Sequence, residues 1–437
     1  MQMLSKLKLD NIGNVKKIGL GNIVVMTSAA LGLVNTYLMM LFFEISAESD
    51  SYLLATAIMF TVFLVATMPF EQYVYKYYEY KSEGKLVSYI SFQHSLAIVI
   101  GVISSLIFLM LSDVISSFYT SNQSLLKKVV DLSNMLALGM IFYPLCLTFE
   151  KQLAAQGSIV SSLLAEMTPN LMTAMGFIHC YIFNKFDVEI VVIYRSSSYL
   201  IECLIFGFLI RHLKFNVSIS DFISMIRNVS LNGCAVKGIK SFPMIAIEIF
   251  ISNFLTALGD GFMSIYYYGN RFAVVVKTVV FGASLRMFNN DISQVITSKK
   301  WSGIAKKIFN YLRSMAPLYF LCAAMVYLIL PFVIQAFTGN DTASATEIKY
   351  VFFVLSVAQI FIIFENCLSF TLFSIGKNMS MTTIYTLSLA AFFFSMELVS
   401  KFLDFYFSIG TSMAVYYISV GVMGAIVLRN TVMSSNV

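Results

Sequence analysis

Twelve uninterrupted apolar runs of about 20 residues, separated by short polar breaks, constrain this chain more than any single residue does. A run of that length crosses the ~30 Å hydrocarbon core of a bilayer as one helix at ~1.5 Å per residue. In lipid the backbone finds hydrogen-bond partners only within the chain, which leaves helices or closed barrels. The runs predict helices at about 18–43, 51–77, 88–112, 132–152, 158–182, 188–211, 239–259, 262–288, 309–336, 350–374, 379–400 and 405–428. They are continuous, whereas barrel strands would read as ~10-residue alternating segments. With 58% hydrophobic and 12% charged residues in 437, no water-soluble core could hide this much apolar sequence. The expected fold class is an all-α integral membrane protein. The basic opening MQMLSKLKLDNIGNVKKIGLGN leads into a long first run without a small-residue cleavage site, so it is expected to be retained.

The connections sort by charge. Lys6, Lys8, Lys16 and Lys17 precede the first helix, Lys81 and Lys85 follow the second, and Lys151 follows the fourth. Arg211, Lys214, Arg227, Lys237 and Lys240 separate the sixth from the seventh; Lys299, Lys300, Lys306 and Lys307 follow the eighth, Lys377 the tenth, and Arg429 ends the twelfth. Twelve crossings put all of these on one side, while the other carries Glu44, Glu48, Asp50, Asp260, Asp341 and Glu347 with few cations, Lys127, Lys128, Lys185, Lys349 and Lys401. The positive-inside rule then predicts a multi-pass protein with both termini in the cytoplasm. These loops account for the net charge of +6, so the charge implies no nucleic-acid partner. The six cysteines are scattered, with no CxxC pair and no His/Cys cluster, so neither a metal, a disulfide nor a cofactor is expected.

The longest hydrophilic break divides the chain into an amino-terminal six-helix lobe, 1–211, a cytoplasmic inter-lobe linker, 212–238, and a carboxy-terminal six-helix lobe, 239–437. Within the linker, FNVSISDFISMIRNV sets Phe215, Phe222, Ile223 and Ile226 among polar residues, as a short helix on the membrane surface or an ordinary loop would. Two short matches relate the halves. ESDSYLLATAIMF opens the second helix as LGDGFMSIYYYGN opens the eighth, pairing Asp50 with Asp260, and FEKQLAAQGS ends the fourth as LSFTLFSIGK ends the tenth, pairing Gly157 with Gly376. With six spans each, such repeats run parallel, related by an axis along the membrane normal, and enclose a central cavity.

Charges inside the apolar runs are the candidate functional residues. Within 262–288, Arg271 lies roughly 14 Å and Lys277 roughly 23 Å from Phe262, too deep to snorkel, so each should face a polar cavity or a partner. Tyr266, Asn270 and Lys277 share a stripe, with Arg271 about 100° from Asn270. Arg195 sits about 10 Å from the outer end of the sixth helix. Arginine offers a planar fork for phosphate oxygens and lysine a point charge, which makes Arg271, Lys277 and Arg195 candidate contacts for an anionic head group, with Asn270 and Tyr266 beside them. The sequence leaves open a purely structural role, in which Glu248 would pair with Lys277 and Glu202 with Arg195. Glu166, Glu202, Glu248 and Glu365 fall about 12–14 Å from the inner ends of their helices, a belt suited either to proton or sodium coupling or to a wet vestibule. Glu71 and Glu150 lie near helix ends and read as interfacial. All six prolines fall within or at the edge of a run.

Six-plus-six helices, a small-residue first span ending in an acidic turn, the Asp50-Ser51-Tyr52 opening of the second helix and Tyr268-Gly269-Asn270-Arg271-Phe272 in the eighth together resemble the multidrug/oligosaccharidyl-lipid/polysaccharide (MOP) exporter superfamily. Within it the chain is similar to MviN/MurJ-type lipid II flippases, whose eighth helix carries a Tyr-Ala-Asp-Arg-Leu signature followed by a Gly-containing run like Phe281-Gly282-Ala283-Ser284. The resemblance implies a two-lobed, V-shaped transporter of the bacterial cytoplasmic membrane that moves a polyprenyl-diphosphate-linked sugar from the inner to the outer leaflet by alternating access. Such flippases carry two arginines in the first helix, where this chain reads Ser28-Ala29-Ala30-Leu31-Gly32-Leu33-Val34-Asn35, and one near the end of the second, where it reads Thr67-Met68-Pro69-Phe70-Glu71. They also have two further helices. The twelve-helix length and sparser cations look more like Wzx-type flippases, which favours an O-antigen or other polysaccharide repeat unit as substrate and polysaccharide-assembly proteins as partners. The rival reading is a proton- or sodium-coupled, MATE-like exporter of drugs or metabolites. A membrane enzyme finds no support in a metal-ligand cluster, a nucleophile–base pair or a large extramembrane domain.

Overall fold

The computed structural model describes residues 2–210, 225–226, 231–298, 303–338 and 342–435, which are helical apart from short turns and contain no strand. Twelve spans follow one another: Gln2–Phe43, Ala47–Ala66, Leu86–Tyr119, Gln123–Ala155, a fifth in two pieces, Ile159–Ala165 and Thr168–Ile182, then Val188–Leu209, Leu231–Leu258, Phe262–Thr297, Ile304–Thr338, Thr342–Ser374, Asn378–Val399 and Phe405–Ser435. Ten are long and apolar enough to cross a membrane as single helices, and the eighth makes eleven as a pair bent by 46° between Phe262–Gly282 and Ser284–Ile296. Large apolar side chains cover the outside, with Met110 84% and Phe332 73% exposed. A surface of that kind belongs in lipid.

Two predicted runs are interrupted. The run 51–77 ends at Ala66, gives way to a 3-10 turn at Met68–Phe70 and resumes as a separate helix, Tyr73–Ser82. Pro69 explains the stop, since it has no N–H to continue the ladder and disfavours α-helical geometry at the residue before it. The run 158–182 breaks at Glu166-Met167, just ahead of Pro169 in the first turn of the next piece. Glu71 and Glu166 therefore occupy chain breaks rather than helix interiors. Apart from Met225 and Ile226, the stretch FNVSISDFISMIRNV lies outside the described residues.

The repeat signal has a local structural counterpart. Gly157 and Gly376 both adopt left-handed φ, +81° and +79°, and both close the same cap: Gly157 N–H to Ala154 O and Ser158 N–H to Leu153 O after the fourth span, Gly376 N–H to Phe373 O and Lys377 N–H to Leu372 O after the tenth. This is the Schellman arrangement, in which glycine takes the left-handed position without a Cβ penalty.

Spans one to six pack mostly among themselves, with the fourth touching the second, third and sixth; among seven to twelve the tenth plays that role, against the eighth, ninth and twelfth. Buried hydroxyls join neighbours, as in Ser105 Oγ to Ala137 O at 2.9 Å and Tyr319 OH to Ser356 O at 2.8 Å, the kind of interhelical bond that membrane bundles use where hydrophobicity offers no preference for protein over lipid. Between the two sets the main contact is the first span against the eighth. The connections gather at two ends: one holds Glu71, Lys151, Lys237 and the close of the tenth span, the other Asp50, Gly261 and Asp404. They are called the basic and the acidic end below.

Candidate functional site

The first and eighth spans, with the second, fifth and sixth, line a half-open cavity of about 310 Å³. The eighth contributes Tyr267, Tyr268, Asn270, Arg271 and Val274, the first Gly32, Asn35, Thr36 and Met39, and the others Tyr52, Thr56, Phe60, Thr173 and Arg195. Two guanidinium groups thus line one cavity, and no carboxylate does. Arg271 has no hydrogen-bond or ion-pair partner among the described residues. Its Nη2 lies 2.5 Å from where a Cβ on Gly32 would stand, so the missing side chain is what lets the guanidinium lie along the first span. Arg195 donates from Nη1 to Thr173 Oγ1 at 3.5 Å and sits over the Phe60 ring at 5.6 Å, with no carboxylate within ion-pair distance. Asn35 Oδ1, Thr56 Oγ1 and Arg195 Nε are buried without partners. Unsatisfied donors and acceptors around a cationic space suit a polar, anionic guest, since such groups are costly to leave unpaired in a low-dielectric interior.

The predicted residues are dispersed relative to this cavity. Asn270, Arg271 and Arg195 line it. Tyr266 does not: it is 2% exposed and packs in the core, because the cavity stripe runs 267, 270, 271, 274, one residue round from the predicted one. Lys277 lies beyond the cavity, within electrostatic reach of Glu365 and Lys240, with no ion pair to Glu248. The acidic residues meet different partners. Glu166 binds Arg286, Glu248 accepts a short hydrogen bond from Tyr267 OH, Glu365 accepts one from Tyr385 OH, and Glu202 is 5% exposed with no hydrogen bond or ion pair among the described residues.

Two clusters bracket the cavity. At the acidic end Asp50 accepts from Gly261 N–H at 2.7 Å, from Ser264 N–H at 2.8 Å and from the Ser264 hydroxyl, while Ser49 Oγ meets Ser264 Oγ at 2.8 Å. A carboxylate from the second span therefore caps the N-terminus of the eighth, where the helix dipole favours negative charge. At the basic end Arg286 forks onto Glu166 with two bonds of 2.7 Å, reaches Ser162 Oγ at 3.1 Å and Glu150 at 3.3 Å. Beside it Glu71 lies 3.2 Å from Lys237 and 3.7 Å from Lys151. Burial alone would raise the Glu71 carboxyl, but Lys237, Lys151 and Lys240 outweigh it and hold it down at about 2, so this pair stays ionic at neutral pH. Glu150 and Glu71 are thus ion-pair members and not merely interfacial. Arg286 drew no attention in the sequence because the predicted run ends two residues later; the helix in fact continues to Thr297.

The fold resembles that of solved MOP superfamily transporters. The chain matches the lipid II flippase MurJ in an inward closed conformation at 16% identity over 95% of this chain and 87% of that one, with a TM-score of 0.67. It matches an outward-facing MATE multidrug resistance transporter at 13% identity over 96% of both chains, with a TM-score of 0.72. A MOP superfamily transporter from Pyrococcus furiosus, described as having a binding pocket of reversed polarity, matches at 12% identity over 96% of both chains, with a TM-score of 0.73. At these identities the likeness establishes the fold. No protein-family model matches the sequence, and no curated protein does.

Proposed function

We propose that this chain is a flippase that carries a polyprenyl-diphosphate-linked oligosaccharide, an O-antigen or other polysaccharide repeat unit, from the inner to the outer leaflet by alternating access. The observation that carries this reading is the cavity lined by Arg195 and Arg271 with no carboxylate among its lining residues. Two guanidiniums without an ion pair at membrane depth are costly unless an anion visits them, and a diphosphate presents oxygens in the geometry that arginine forks bind. A second space supports it: an apolar groove of about 310 Å³ between the first, eighth and ninth spans, lined by Leu33, Tyr37, Phe272, Ile329 and Val333 among others. Arg271 faces the cationic cavity and its neighbour Phe272 the groove, so one molecule could place its head group in the first and its isoprenoid chain in the second. The basic end lies in the cytoplasm on this reading, in a bacterial cytoplasmic membrane, with polysaccharide-assembly proteins as partners and the division into lobes 1–211 and 239–437 as the moving parts.

The rival, an exporter of organic cations or metabolites driven by protons or sodium, draws on one observation: Glu248 stands directly behind Tyr267, which lines the cavity. Reconstituted protein separates the two. A flippase moves a fluorescent polyprenyl-diphosphate-linked sugar across the liposome bilayer, loses at least tenfold in rate on Arg271→Ala, and recovers part of it with Arg271→Lys. Transport of ethidium against a pH or sodium gradient, indifferent to Arg271, would establish the exporter instead.

A further inference from the structure

The ion pairs that join the two sets of spans all have the same polarity. Among the described residues, those crossing between 2–210 and 231–435 are Glu71 with Lys237, Glu150 with Arg286 and Glu166 with Arg286. In each the carboxylate comes from the first set and the cation from the second. Lys151 is the one cation that the first set adds to these pairs, and it is further tied to Phe70 O at 2.9 Å. Beside the pairs a cavity of about 90 Å³ is already open, with Glu71 and Gln72 on one wall and Lys240, Asn289 and Asn366 on the other. Arg286 and Lys237 keep 25% and 18% of their side chains accessible.

Alternating access must separate these two walls at the basic end in every cycle. Opening the seam strips Arg286 of its carboxylate fork and Lys237 of Glu71, which is strongly unfavourable for partly buried charges unless another anion replaces them. The opened wall of the second set then presents Arg286, Lys237 and Lys240 together. A diphosphate offers Arg286 the same paired oxygens that Glu166 supplies in the closed state. Glu150 and Glu166, once released, face Lys151 and solvent, with Glu202 and Tyr143 the other titratable groups around them.

We propose that Arg286, with Lys237 and Lys240, is a capture site for the diphosphate of the lipid-linked substrate at the basic end, and that the substrate opens the seam by displacing Glu150 and Glu166 from Arg286. The site is separate from the Arg195–Arg271 cavity and precedes it on the path. It rests on the flippase reading.

The test is binding of farnesyl diphosphate to the full-length protein in nanodiscs. Displacement makes the carboxylates competitors of the ligand, so Glu150→Gln/Glu166→Gln should tighten binding by about tenfold and Arg286→Gln weaken it by about tenfold, as the loss of one charge-assisted contact does. Arg286→Lys, which keeps the charge and the fold, should fall between. If the seam is only a structural lock, both sets of variants break the same bridges and shift binding in the same direction, and that result overturns the proposal. Loss of binding on Arg271→Gln with no response to the seam variants overturns it too while leaving the flippase reading intact. Failure of the unaltered protein to bind farnesyl diphosphate overturns both.

Discussion

Gly32 and Arg271 are coupled through space in a way that isolates the charge from the fold. A methyl group on Gly32 would meet only the far end of the arginine, at 2.5 Å from Nη2, and that end can swing aside. Gly32→Ala should therefore leave the protein folded, with helix stability unchanged or raised by about 0.5–1 kcal/mol, while moving the guanidinium off the first span. Thermal melting and transport measured together check this: an undiminished melting temperature with transport reduced toward the Arg271→Ala level is expected, and full transport would show that the guanidinium position is immaterial. Arg271 and Arg195 were legible in the sequence because a cation deep in an apolar run needs an explanation. Arg286 was not, since a run ending at 288 leaves it near water, and its partner Glu166 is 120 residues away. Tyr267 and not Tyr266 lines the cavity for a smaller reason: a one-residue error in the phase of a helix turns its facing stripe by about 100°.

At the scale of elements, the breaks in the second and fifth spans were written in Pro69 and Pro169, yet proline says only that a helix stops. That Glu71 and Glu166 sit in those breaks, and that each meets a cation of the other set, follows from packing between spans far apart in sequence. The Asp50 cap shows the same dependence. Its acidic turn and its pairing with Asp260 were visible as a repeat signal, whereas the contacts to Gly261 and Ser264 come from the second and eighth spans meeting. Because one carboxylate satisfies two backbone donors and a hydroxyl, Asp50→Ala should cost about 2 kcal/mol, read as a melting temperature several degrees lower in detergent. Asp50→Asn retains an acceptor and should lose less. Equal melting of Asp50→Ala and the unaltered protein would mean that this cap carries no stability. The Gly157 and Gly376 caps were the most readable feature, because a glycine following a long helix has a specific backbone role and two of them recur with the same hydrogen bonds.

For the molecule as a whole, helical class and span number were set by run length and hydrophobicity, which depend on the thickness of a bilayer and on nothing else in the fold. The arrangement of charge was not, because it depends on which spans meet. Carboxylates of the first set face cations of the second at the basic end, and at the acidic end Asp50 faces the N-terminus of the eighth span. Between these two closures lies the cavity that holds Arg195 and Arg271. Its charge is the centre of the functional reading, and an electron cryomicroscopy structure of the protein in nanodiscs with farnesyl diphosphate addresses it most directly. Density for the two phosphates between Arg195 and Arg271, with the isoprenoid chain along the groove at Phe272, is the expected result; a cavity without phosphate density at saturating ligand would contradict it.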